Sequence, residues 1–489
     1  MPKTNVLANL GVQLGDDRNK YFYPWQWQKA DRESLAPNFI IPRKALNPDC
    51  VGKRKTARQN IYNFMSKPRL CIIGTGISGL GCAYLLDKKF DITLYEAADY
   101  VGGHTNTVTV CEDGEEVPID TGFMVFNHQT YPLLCRLFRE LGVETKRTDM
   151  SFSLRHDSTG YEYNGKNLDT LFGQRRNLVS PRFWRFLLQI QRFNEETVQA
   201  MNDPRFEQMS LREYTEARGY GQDFLNLYIL PMGSAVWSTP PELMMDFPAR
   251  TLMHFWFNHG FLGMKNRHPW WTVVDGSRQY VRRLIPPFKD RIRLRTAVQR
   301  IERREGKVTV HAEGQLPETY DKVILATHAP TSLKMLDEPT PLEEELLPVF
   351  KYQSNIATLH TDDRFMPRTR KCWASWNYHI RFKPNGVIQP STHYWMNLLQ
   401  GVSQKNNYFV SINAPDEVAE EKVIRRISYE HPLFDLKAVN AQKRLPELNR
   451  LSKNQTTYYC GAWFRYGFHE DGFMSAVNLC RDLLGEEPW

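Results

Sequence analysis

Three glycines and a glutamate have the types and spacing needed to bind a dinucleotide. Gly74, Gly76 and Gly79 form a Gly-x-Gly-x-x-Gly turn that follows a short apolar segment. Glu96 comes about 20 residues further on and ends a second apolar segment, which is the spacing at which an acid meets the ribose of a bound dinucleotide. The combination predicts a strand, a turn, a helix and a second strand that together bind a pyrophosphate and a ribose.

Each position in this turn has its own physical requirement. Gly74 permits the tight turn, Gly76 lets the backbone approach a phosphate with no Cβ atom in the way, and Gly79 lets the helix lie close to the sheet. A helix that starts near Ile77 would direct free backbone N–H groups, including those of Ile77 and Ser78, at the phosphates. We therefore expect all five residues to belong to the cofactor site.

Glu96 selects among dinucleotides. Its carboxylate would accept hydrogen bonds from ribose hydroxyls and would repel a 2′-phosphate, which argues against NADP.

The elements that must position these groups are an apolar strand over residues 69–73, a helix from Ile77 and a second strand that ends next to Glu96.

The residues that follow Glu96 point to FAD. Residues 96–105 run from the acid to a Gly-Gly-His-Thr turn, and this stretch resembles the extended fingerprint of the flavin amine oxidase and phytoene desaturase superfamily. In that superfamily a Gly-Gly-Arg turn runs beneath the flavin. His104 stands at the position of the arginine, so a polar donor is kept but a permanent charge is lost. The resemblance implies FAD as the cofactor and Gly103, His104 and Thr105 as residues that contact it.

Three later segments resemble other parts of the same superfamily. Residues 320–328 resemble the strand that returns to the nucleotide sheet, and residues 298–301 resemble the strand whose backbone meets the adenine. Residues 461–476 resemble the C-terminal loop and helix that close on the flavin, and a helix that begins near Gly472 would place its positive N-terminal end there. The further residues that the resemblance assigns to FAD are Val298, Gly461, Asp471, Gly472 and Phe473.

A narrower resemblance is to the flavoproteins associated with cyclopropane-fatty-acid synthases. Besides the C-terminal loop, the segments that carry it are residues 120–127, 231–238, 373–378 and 394–400. The resemblance implies that Gly122 and Phe123 also contact FAD. Some members of this subgroup are implicated in the desaturation of methylated acyl chains, so the resemblance implies an acyl lipid as the substrate.

The expected fold class is α/β, with a Rossmann-like FAD-binding lobe interleaved with a mixed α+β substrate-binding lobe. A basic N-terminal extension is expected over residues 1–67. The segments expected to form the FAD-binding lobe are residues 68–127, 270–335 and 452–489. The segments expected to form the substrate lobe are residues 128–269 and 336–451.

Composition favours a cytoplasmic protein with a sizeable core. Of the 489 residues 41% are apolar, the mean hydropathy is −0.52, and no apolar run reaches about 18 residues. No signal-peptide pattern opens the sequence. The eight cysteines have no Cys-x-x-Cys or metal-binding spacing, so we expect reduced packing residues and no metal. Cys460 lies beside the expected flavin loop, where we expect a buried thiol rather than a covalent link to flavin.

The positive charge is concentrated before residue 68. This part carries most of the net charge of +8 and includes the basic run at residues 53–58. A solvated extension and an arm that docks on an anionic membrane or an acidic partner are both compatible with it. Nucleic acid is not an expected partner, because no known binding module accompanies the basic run.

The expected chemistry is hydride transfer from a substrate carbon to the flavin. Amine oxidases of the superfamily add an aromatic cage and commonly a lysine that holds a water. Phe468 occupies the position of a cage tyrosine, and residues 355–360, where the lysine is expected, contain none. These two departures from the amine oxidase pattern favour an apolar substrate over an amine. Phe468 would form a hydrophobic wall, while His469 and Glu470, and secondarily His393, are candidate proton acceptors.

The leading hypothesis is an FAD-dependent, amine oxidase-like oxidoreductase that desaturates or oxidises a fatty-acyl or phospholipid chain. Oxygen or a membrane quinone would reoxidise the flavin. Peripheral membrane contact is an open alternative, because an amphipathic helix is expected around residues 183–193. The competing hypotheses are a conventional amine oxidase, a flavin-dependent isomerase and a non-catalytic lipid carrier on the same scaffold.

Overall fold

The apolar residues before the glycine turn form the central strand of a parallel sheet. A computed structural model describes residues 67–263, 267–382, 388–414 and 418–489. The basic extension expected over residues 1–67 lies outside this part of the chain, except for its last residue. Strand Arg69–Ile73 is buried along all but its first residue, as expected for a strand that is covered on both faces.

The strands are, in chain order, β1 (Arg69–Ile73), β2 (Asp91–Tyr95), β3 (Thr107–Glu112), β4 (Glu115–Asp120), β5 (Phe126–Asn127), β6 (Thr145–Thr148), β7 (Phe152–His156), β8 (Tyr161–Asn164), β9 (Trp270–Val273), β10 (Ile292–Arg293), β11 (Val298–Arg304), β12 (Lys307–Ala312), β13 (Glu318–Tyr320), β14 (Lys322–Leu325), β15 (Lys351–His360), β16 (Trp376–Phe382), β17 (Ile388–Trp395), β18 (Phe409–Ile412), β19 (Val423–Leu433) and β20 (Thr457–Tyr459).

The α-helices are α1 (Ile77–Leu86), α2 (Pro132–Glu140), α3 (Leu168–Leu171), α4 (Pro181–Ala200), α5 (Leu211–Ala217), α6 (Gln222–Phe224), α7 (Leu230–Trp237), α8 (Pro241–Met244), α9 (Ala249–Asn258), α10 (Arg278–Leu284), α11 (Ala329–Met335), α12 (Pro341–Leu346), α13 (Met396–Leu399), α14 (Leu436–Gln442), α15 (Leu445–Arg450) and α16 (His469–Leu484).

The first sheet has five parallel strands in the order β10-β2-β1-β14-β20. Strands that follow β1 in the chain lie on both of its sides, and ligands of such sheets bind at the carboxyl ends of the strands next to this reversal. Gly74 directly follows β1, Glu96 follows β2, and Ala326 follows β14. The fold therefore brings three strand ends together where the sequence places the dinucleotide.

The C-terminal helix α16 packs closely on α1. A Cβ atom added at Gly81 of α1 would lie 2.8 Å from a ring carbon of Phe473, and one added at Gly472 would lie 2.8 Å from Cγ2 of Ile77. Both glycines are therefore needed for this contact. The contact joins the last helix of the chain to the helix that follows the glycine turn.

The second large sheet has seven strands in the order β19-β15-β18-β17-β16-β7-β8. Its pairs are antiparallel except for β7 and β16, which are parallel. Helix α4 packs beside it and buries Phe183, Phe186 and Phe193. The amphipathic helix expected around residues 183–193 is thus present and turns an aromatic face to the core.

The expected α/β fold class is confirmed, with a parallel nucleotide sheet and a second lobe built on the mixed seven-stranded sheet. The parallel sheet takes strands from residues 69–95, 292–325 and 457–459, and the mixed sheet takes strands from residues 152–164 and 351–433. The two lobes are therefore interleaved along the chain. In the described part of the chain, none of the helices is both long and apolar enough to span a bilayer.

A buried ion pair joins the small sheet β11-β12-β13 to helix α12. Arg303 donates to both carboxylate oxygens of Glu343 at 2.6 and 2.9 Å, and the side chains are only 1% and 3% exposed. The hydroxyl of Tyr459 on β20 donates to the same carboxylate at 2.6 Å. The pair therefore also ties this sheet to the edge of the nucleotide sheet.

We expect Arg303→Met to lower the free energy of unfolding by about 3–5 kcal/mol, because it leaves the Glu343 carboxylate buried without its partner. Urea denaturation followed by circular dichroism measures the change. The control is Lys89→Met, which breaks the exposed pair with Glu486 and should cost less than about 1 kcal/mol. Equal losses in the two variants would contradict the assignment.

Candidate active site

A cavity of about 490 Å³ runs from the glycine turn into the second lobe. We call one part of its wall the nucleotide end; this part consists of Gly74, Thr75, Gly76, Ile77, Ser78, Glu96, Gly103, His104, Gly122, Phe123, Ala326, Thr327, His328, Thr331, Tyr352, Glu430, His431, Gly461 and Ala462. The other described residues of the wall are Met124, Val125, Tyr131, Met150, Val236, Trp237, Ser238, Phe255, Phe261, Trp270, Trp376, Tyr394, Pro432, Trp463, Tyr466, Gly467, Phe468 and His469.

The three glycines of the turn have different surroundings. Gly74 has φ +99°, and a Cβ atom added there would lie 2.7 Å from the carbonyl oxygen of Ala326. Gly79 is not part of the wall, and a Cβ atom there would lie 1.9 Å from the carbonyl oxygen of Gly74. A Cβ atom at Gly76 would meet nothing within 4 Å. Gly74 and Gly79 are therefore required by packing, whereas Gly76 faces open space in the cavity.

Glu96 is held at the wall by its neighbours. Oε2 accepts hydrogen bonds from the backbone N–H of Thr75 at 2.9 Å and from its hydroxyl at 2.6 Å, while Oε1 accepts from the N–H of Ala98 at 2.9 Å. A carboxylate has about four acceptor positions, so the oxygens can accept further bonds from ribose hydroxyls. The contact of Glu96 with a ribose stays a prediction.

The Gly-Gly-His-Thr turn lies directly against the glycine turn. Gly103 has φ +58°, and a Cβ atom there would lie 3.2 Å from Cα of Gly76. The ring of His104 stacks on Tyr429 with centroids 4.9 Å apart, and its Nε2 atom is buried without a hydrogen-bond partner. Burial, reinforced by the neighbouring His431, holds the pKa of His104 well below its usual range.

Gly122 and Phe123 lie against the same turn. A Cβ atom at Gly122 would be 2.2 Å from the carbonyl oxygen of His104, and the N–H of Phe123 donates to that oxygen at 2.7 Å. The ring of Phe123 stacks on His469 at 3.9 Å with an interplanar angle of 11°. Thr105 lies behind the wall, where its hydroxyl oxygen is 2.9 Å from Nε2 of His469. These residues connect the glycine turn with the C-terminal loop.

Helix α16 begins at His469, three residues before the start that we expected near Gly472. The reason is a helix cap. The carboxylate of Asp471 accepts a hydrogen bond from the backbone N–H of Phe468 at 3.0 Å, so the first helical turn starts earlier in the sequence. Asp471 is buried behind the wall, and burial raises its pKa to about 6. Gly472 and Phe473 also lie behind the wall, in contact with α1.

His469 and Glu470 have different surroundings although they are adjacent. His469 is part of the wall, its Nε2 is also 3.0 Å from the hydroxyl of Tyr280, and burial lowers its pKa to about 3. The Glu470 carboxylate instead accepts the N–H groups of Leu133 and Leu134 at 3.0 and 2.9 Å, at the start of α2. Burial raises the pKa of Glu470 to about 7. Glu470 is not part of the wall.

Three other residues singled out from the sequence contact neighbours outside the cavity wall. Val298 begins β11 in a separate antiparallel sheet, and the strand beside β2 is β10 instead. Both ring nitrogens of His393 contact serine hydroxyls on the mixed sheet, at 2.5 and 2.8 Å. The thiol of Cys460 is buried 3.8 Å from the sulfur of Cys82. None of the three is part of the cavity wall.

The sequence analysis did not assign several wall residues to the site. His431 and Glu430 on β19, Tyr352 on β15 and His328 after β14 reach the nucleotide end of the cavity. They come from separate strands and share no motif. Only the pairing of β15 with β19 and of β14 with β1 brings them together.

The wall fits a bound FAD molecule. The empty space beside Gly76 is where a pyrophosphate would approach the start of α1. His104, whose turn lies against Gly76, has a buried Nε2 atom without a hydrogen-bond partner. Flat aromatic rings, including the stacked Phe123 and His469, continue the wall beyond the nucleotide end. Such a wall suits a flat ring system such as the isoalloxazine.

We expect Gly76→Ala and Gly79→Ala to separate cofactor binding from folding. The Cβ atom of Gly76→Ala would occupy the pyrophosphate space, so FAD affinity should fall at least about tenfold while the FAD-free protein keeps its stability. Gly79→Ala should destabilise the FAD-free protein, because its Cβ atom would overlap the Gly74 carbonyl oxygen. Equilibrium dialysis with FAD and thermal unfolding measure the two effects, and an unstable Gly76→Ala protein would contradict the assignment.

Comparisons with known proteins identify the family. Residues 77–395 match the family described as flavin containing amine oxidoreductase. The fold resembles a putrescine oxidase structure (TM-score 0.60, 14% identity, covering 86% of this chain and 99% of that chain). It also resembles a cyclohexylamine oxidase from Brevibacterium oxydans IH-35A (0.59, 15%, 86% and 100%) and a fatty acid isomerase from P. acnes that produces CLA (0.59, 15%, 86% and 98%).

No curated protein matches the chain in the sequence comparison. The family match covers most of the chain, from the first residue of α1 to the last residue of β17. FAD is the cofactor that this family and the geometry of the wall imply. The chain belongs to the flavin-containing amine oxidoreductase family and is an FAD-dependent, amine oxidase-like oxidoreductase.

Proposed function

We propose that this oxidoreductase removes hydride from a carbon atom of an apolar substrate, the acyl chain of a fatty acid or phospholipid, and so desaturates or oxidises it. The observation that carries the proposal is the aromatic, uncharged wall beyond the nucleotide end of the cavity. Burial of an acyl chain against such a wall is favourable, at about 0.8 kcal/mol for each CH₂ group.

The aromatic wall is continuous. Phe468 stacks on Phe255 with centroids 4.9 Å apart and makes an edge contact with Trp237 at 6.2 Å. Phe261 stacks on Trp270 at 6.0 Å. The indole N–H of Trp237 donates to a backbone carbonyl, so this ring adds apolar area without an unmet donor.

The carboxylates of the cavity argue against a cationic amine. In the described part of the wall they are Glu96 and Glu430. Glu96 follows β2, and Glu430 pairs with His328, which follows β14, at 3.1 Å. Both therefore lie at the nucleotide end. An alkylammonium group in the aromatic part would lose its hydration with no carboxylate beside it. Phe468 also lacks the hydroxyl that a tyrosine would bring there.

The residues around His469 hold the reacting groups in place. When bound, FAD supplies the hydride acceptor. The His469 ring is fixed by its stack on Phe123 and by the hydroxyls of Thr105 and Tyr280. Desaturation also releases a proton from the neighbouring carbon, and we propose that His469 receives it. Burial lowers the pKa of His469 to about 3, so the ring is neutral beforehand and is a weak base. A weak base suffices here, because loss of hydride from one carbon makes the C–H bond of the neighbouring carbon strongly acidic.

Phe468 and Glu470 have different proposed roles. Phe468 forms part of the wall, where we propose that it contacts the substrate. Glu470 binds the first N–H groups of α2, so we propose that it positions α2 against α16 without touching substrate. The start of α16 carries partial positive charge, which would favour negative charge on a nearby ring.

The surface near α4 supports contact with a membrane, where an acyl substrate and a quinone acceptor would be found. Leu178, Val179 and Leu188 are 46%, 83% and 54% exposed. Arg176, which precedes Leu178, and Arg185, which lies between Val179 and Leu188, are exposed as well. Exposed apolar side chains among arginines suit an anionic lipid surface. Oxygen is the alternative electron acceptor.

We expect phospholipids with methyl-branched or unsaturated chains to bleach the flavin absorption band at about 450 nm under anaerobic conditions. Putrescine and cyclohexylamine should leave this band unchanged, because the aromatic wall offers no partner for an ammonium group. Stopped-flow absorbance of the FAD-loaded protein measures the rate. Bleaching by amines alone would establish an amine oxidase. Conversion of a lipid without net bleaching would indicate an isomerase, and lipid binding with neither would indicate a carrier.

We expect Phe261→Asp to slow bleaching by an acyl substrate about tenfold or more, because it places a carboxylate in the apolar wall. Phe257→Asp is the matched control, since Phe257 is a nearby phenylalanine that is 40% exposed and outside the wall. Both variants should keep the FAD content of the parent. Equal rates in the two variants would place the acyl chain elsewhere.

A further inference from the structure

Permanent positive charge is absent from the described residues of the cavity wall, none of which is a lysine or an arginine. FAD carries a pyrophosphate with two negative charges, and the start of α1 supplies only partial positive charge for it. The wall residues that can become positively charged are His104, His328, His431 and His469.

We propose that His104, supported by His431, supplies this charge by taking up one proton from solvent when FAD binds. FAD binding would then depend on pH, and acid would tighten it. The proposal concerns the cofactor and is independent of the identity of the substrate.

His104 is placed to receive the proton. Its turn lies against Gly76, since a Cβ atom on Gly103 would be 3.2 Å from Cα of Gly76. Its Nε2 is buried without a partner, although a buried ring nitrogen normally has one. Protonated and hydrogen-bonded to a phosphate oxygen, this atom would be satisfied and would form a charge-assisted bond.

The ring of His431 lies 5.2 Å from that of His104, and its tautomer follows from a chain of hydrogen bonds. The backbone N–H of Ile356 donates to Oδ1 of Asn413 at 3.2 Å, and Nδ2 of Asn413 donates to Oδ1 of Asn355 at 2.7 Å. Nδ2 of Asn355 must then donate to Nδ1 of His431, at 2.8 Å. Neutral His431 therefore carries its proton on Nε2, and it can support an anion as a neutral donor.

The other two histidines of the wall already contact polar side chains. Nδ1 of His328 pairs with Glu430 at 3.1 Å, and its ring stacks on Tyr352 at 4.2 Å. Nε2 of His469 already contacts the hydroxyls of Thr105 and Tyr280. Among the described residues of the wall, His104 alone has a ring nitrogen that is buried without a hydrogen-bond partner.

The direction of the pH effect follows from the charges around His104. The titratable groups that act on His104 are Tyr429 and His431 on β19, His328 after β14 and His469 on α16. Glu96 after β2 and Glu430 on β19 belong to the same wall, and the hydroxyl of Tyr100 donates to the carbonyl oxygen of Gly103 beside it. Without FAD, burial and His431 keep the pKa of His104 well below its usual range, so the ring is neutral at neutral pH. A dianionic pyrophosphate raises that pKa. The complex then binds more protons than the free protein, and affinity falls as pH rises through the pKa of the complex.

The test is calorimetric titration of the full-length, FAD-free protein with FAD in buffers of different ionisation enthalpy. Near neutral pH we expect an uptake of up to about one proton for each FAD bound. Between about pH 6 and pH 9, the dissociation constant should rise with pH by up to about tenfold per unit. Both readouts are independent of enzymatic activity.

Three variants test whether His104 is the group that takes up the proton. His104→Gln should bind FAD more weakly and without proton uptake, while His104→Arg should bind FAD with little dependence on pH because its charge is permanent. His128→Gln is the control, since His128 is exposed and outside the wall, and it should match the parent. If His104→Arg does not fold, His104→Gln still decides the question. Absence of proton uptake in the parent, or unchanged uptake in His104→Gln, would overturn the proposal.

Discussion

The close approach of Gly79 to the carbonyl oxygen of Gly74 sets the position of α1 on the nucleotide sheet. With no room for a Cβ atom there, α1 can begin directly at the end of β1 and direct its N-terminal N–H groups along the edge of the sheet. The turn that contains His104 then lies against Gly76, and α16 lies against α1 through Gly81 and Gly472. The cavity wall is thus assembled from elements that would all move apart if α1 were displaced.

The two ends of the cavity differ in chemical character. The nucleotide end presents backbone N–H groups, two carboxylates and imidazoles, whereas the other end presents mainly aromatic rings. Removal of water from such an aromatic site strengthens every electrostatic interaction that remains inside it. The neutral state of His469 agrees with the aromatic character of this end, because an ionised imidazole among aromatic rings would need a counter-ion.

Local signals in the sequence were sufficient for the nucleotide lobe. Gly74, Gly76, Gly79 and Glu96 are close in the chain and have fixed roles, so their strand, helix and acid could be predicted. The start of α16 was misplaced by three residues because the side chain of Asp471 caps the helix, and a cap of this kind depends on the loop before it. His431 could not be predicted, since a lone histidine in a strand acquires its neighbours only through the pairing of β15 with β19. The placement of Glu470 at the start of α2 likewise depends on contacts between residues far apart in the chain.

The interleaving of the two lobes also has a consequence for biosynthesis. Strand β20 and helix α16 complete the sheet and the cavity wall, yet they follow all the other strands in the chain. A nascent chain that has already formed β1, α1 and β2 therefore lacks part of the wall until its last described residues have left the ribosome. Cofactor capture is then a late event, and FAD can act as a ligand that stabilises only those chains in which both lobes have already assembled.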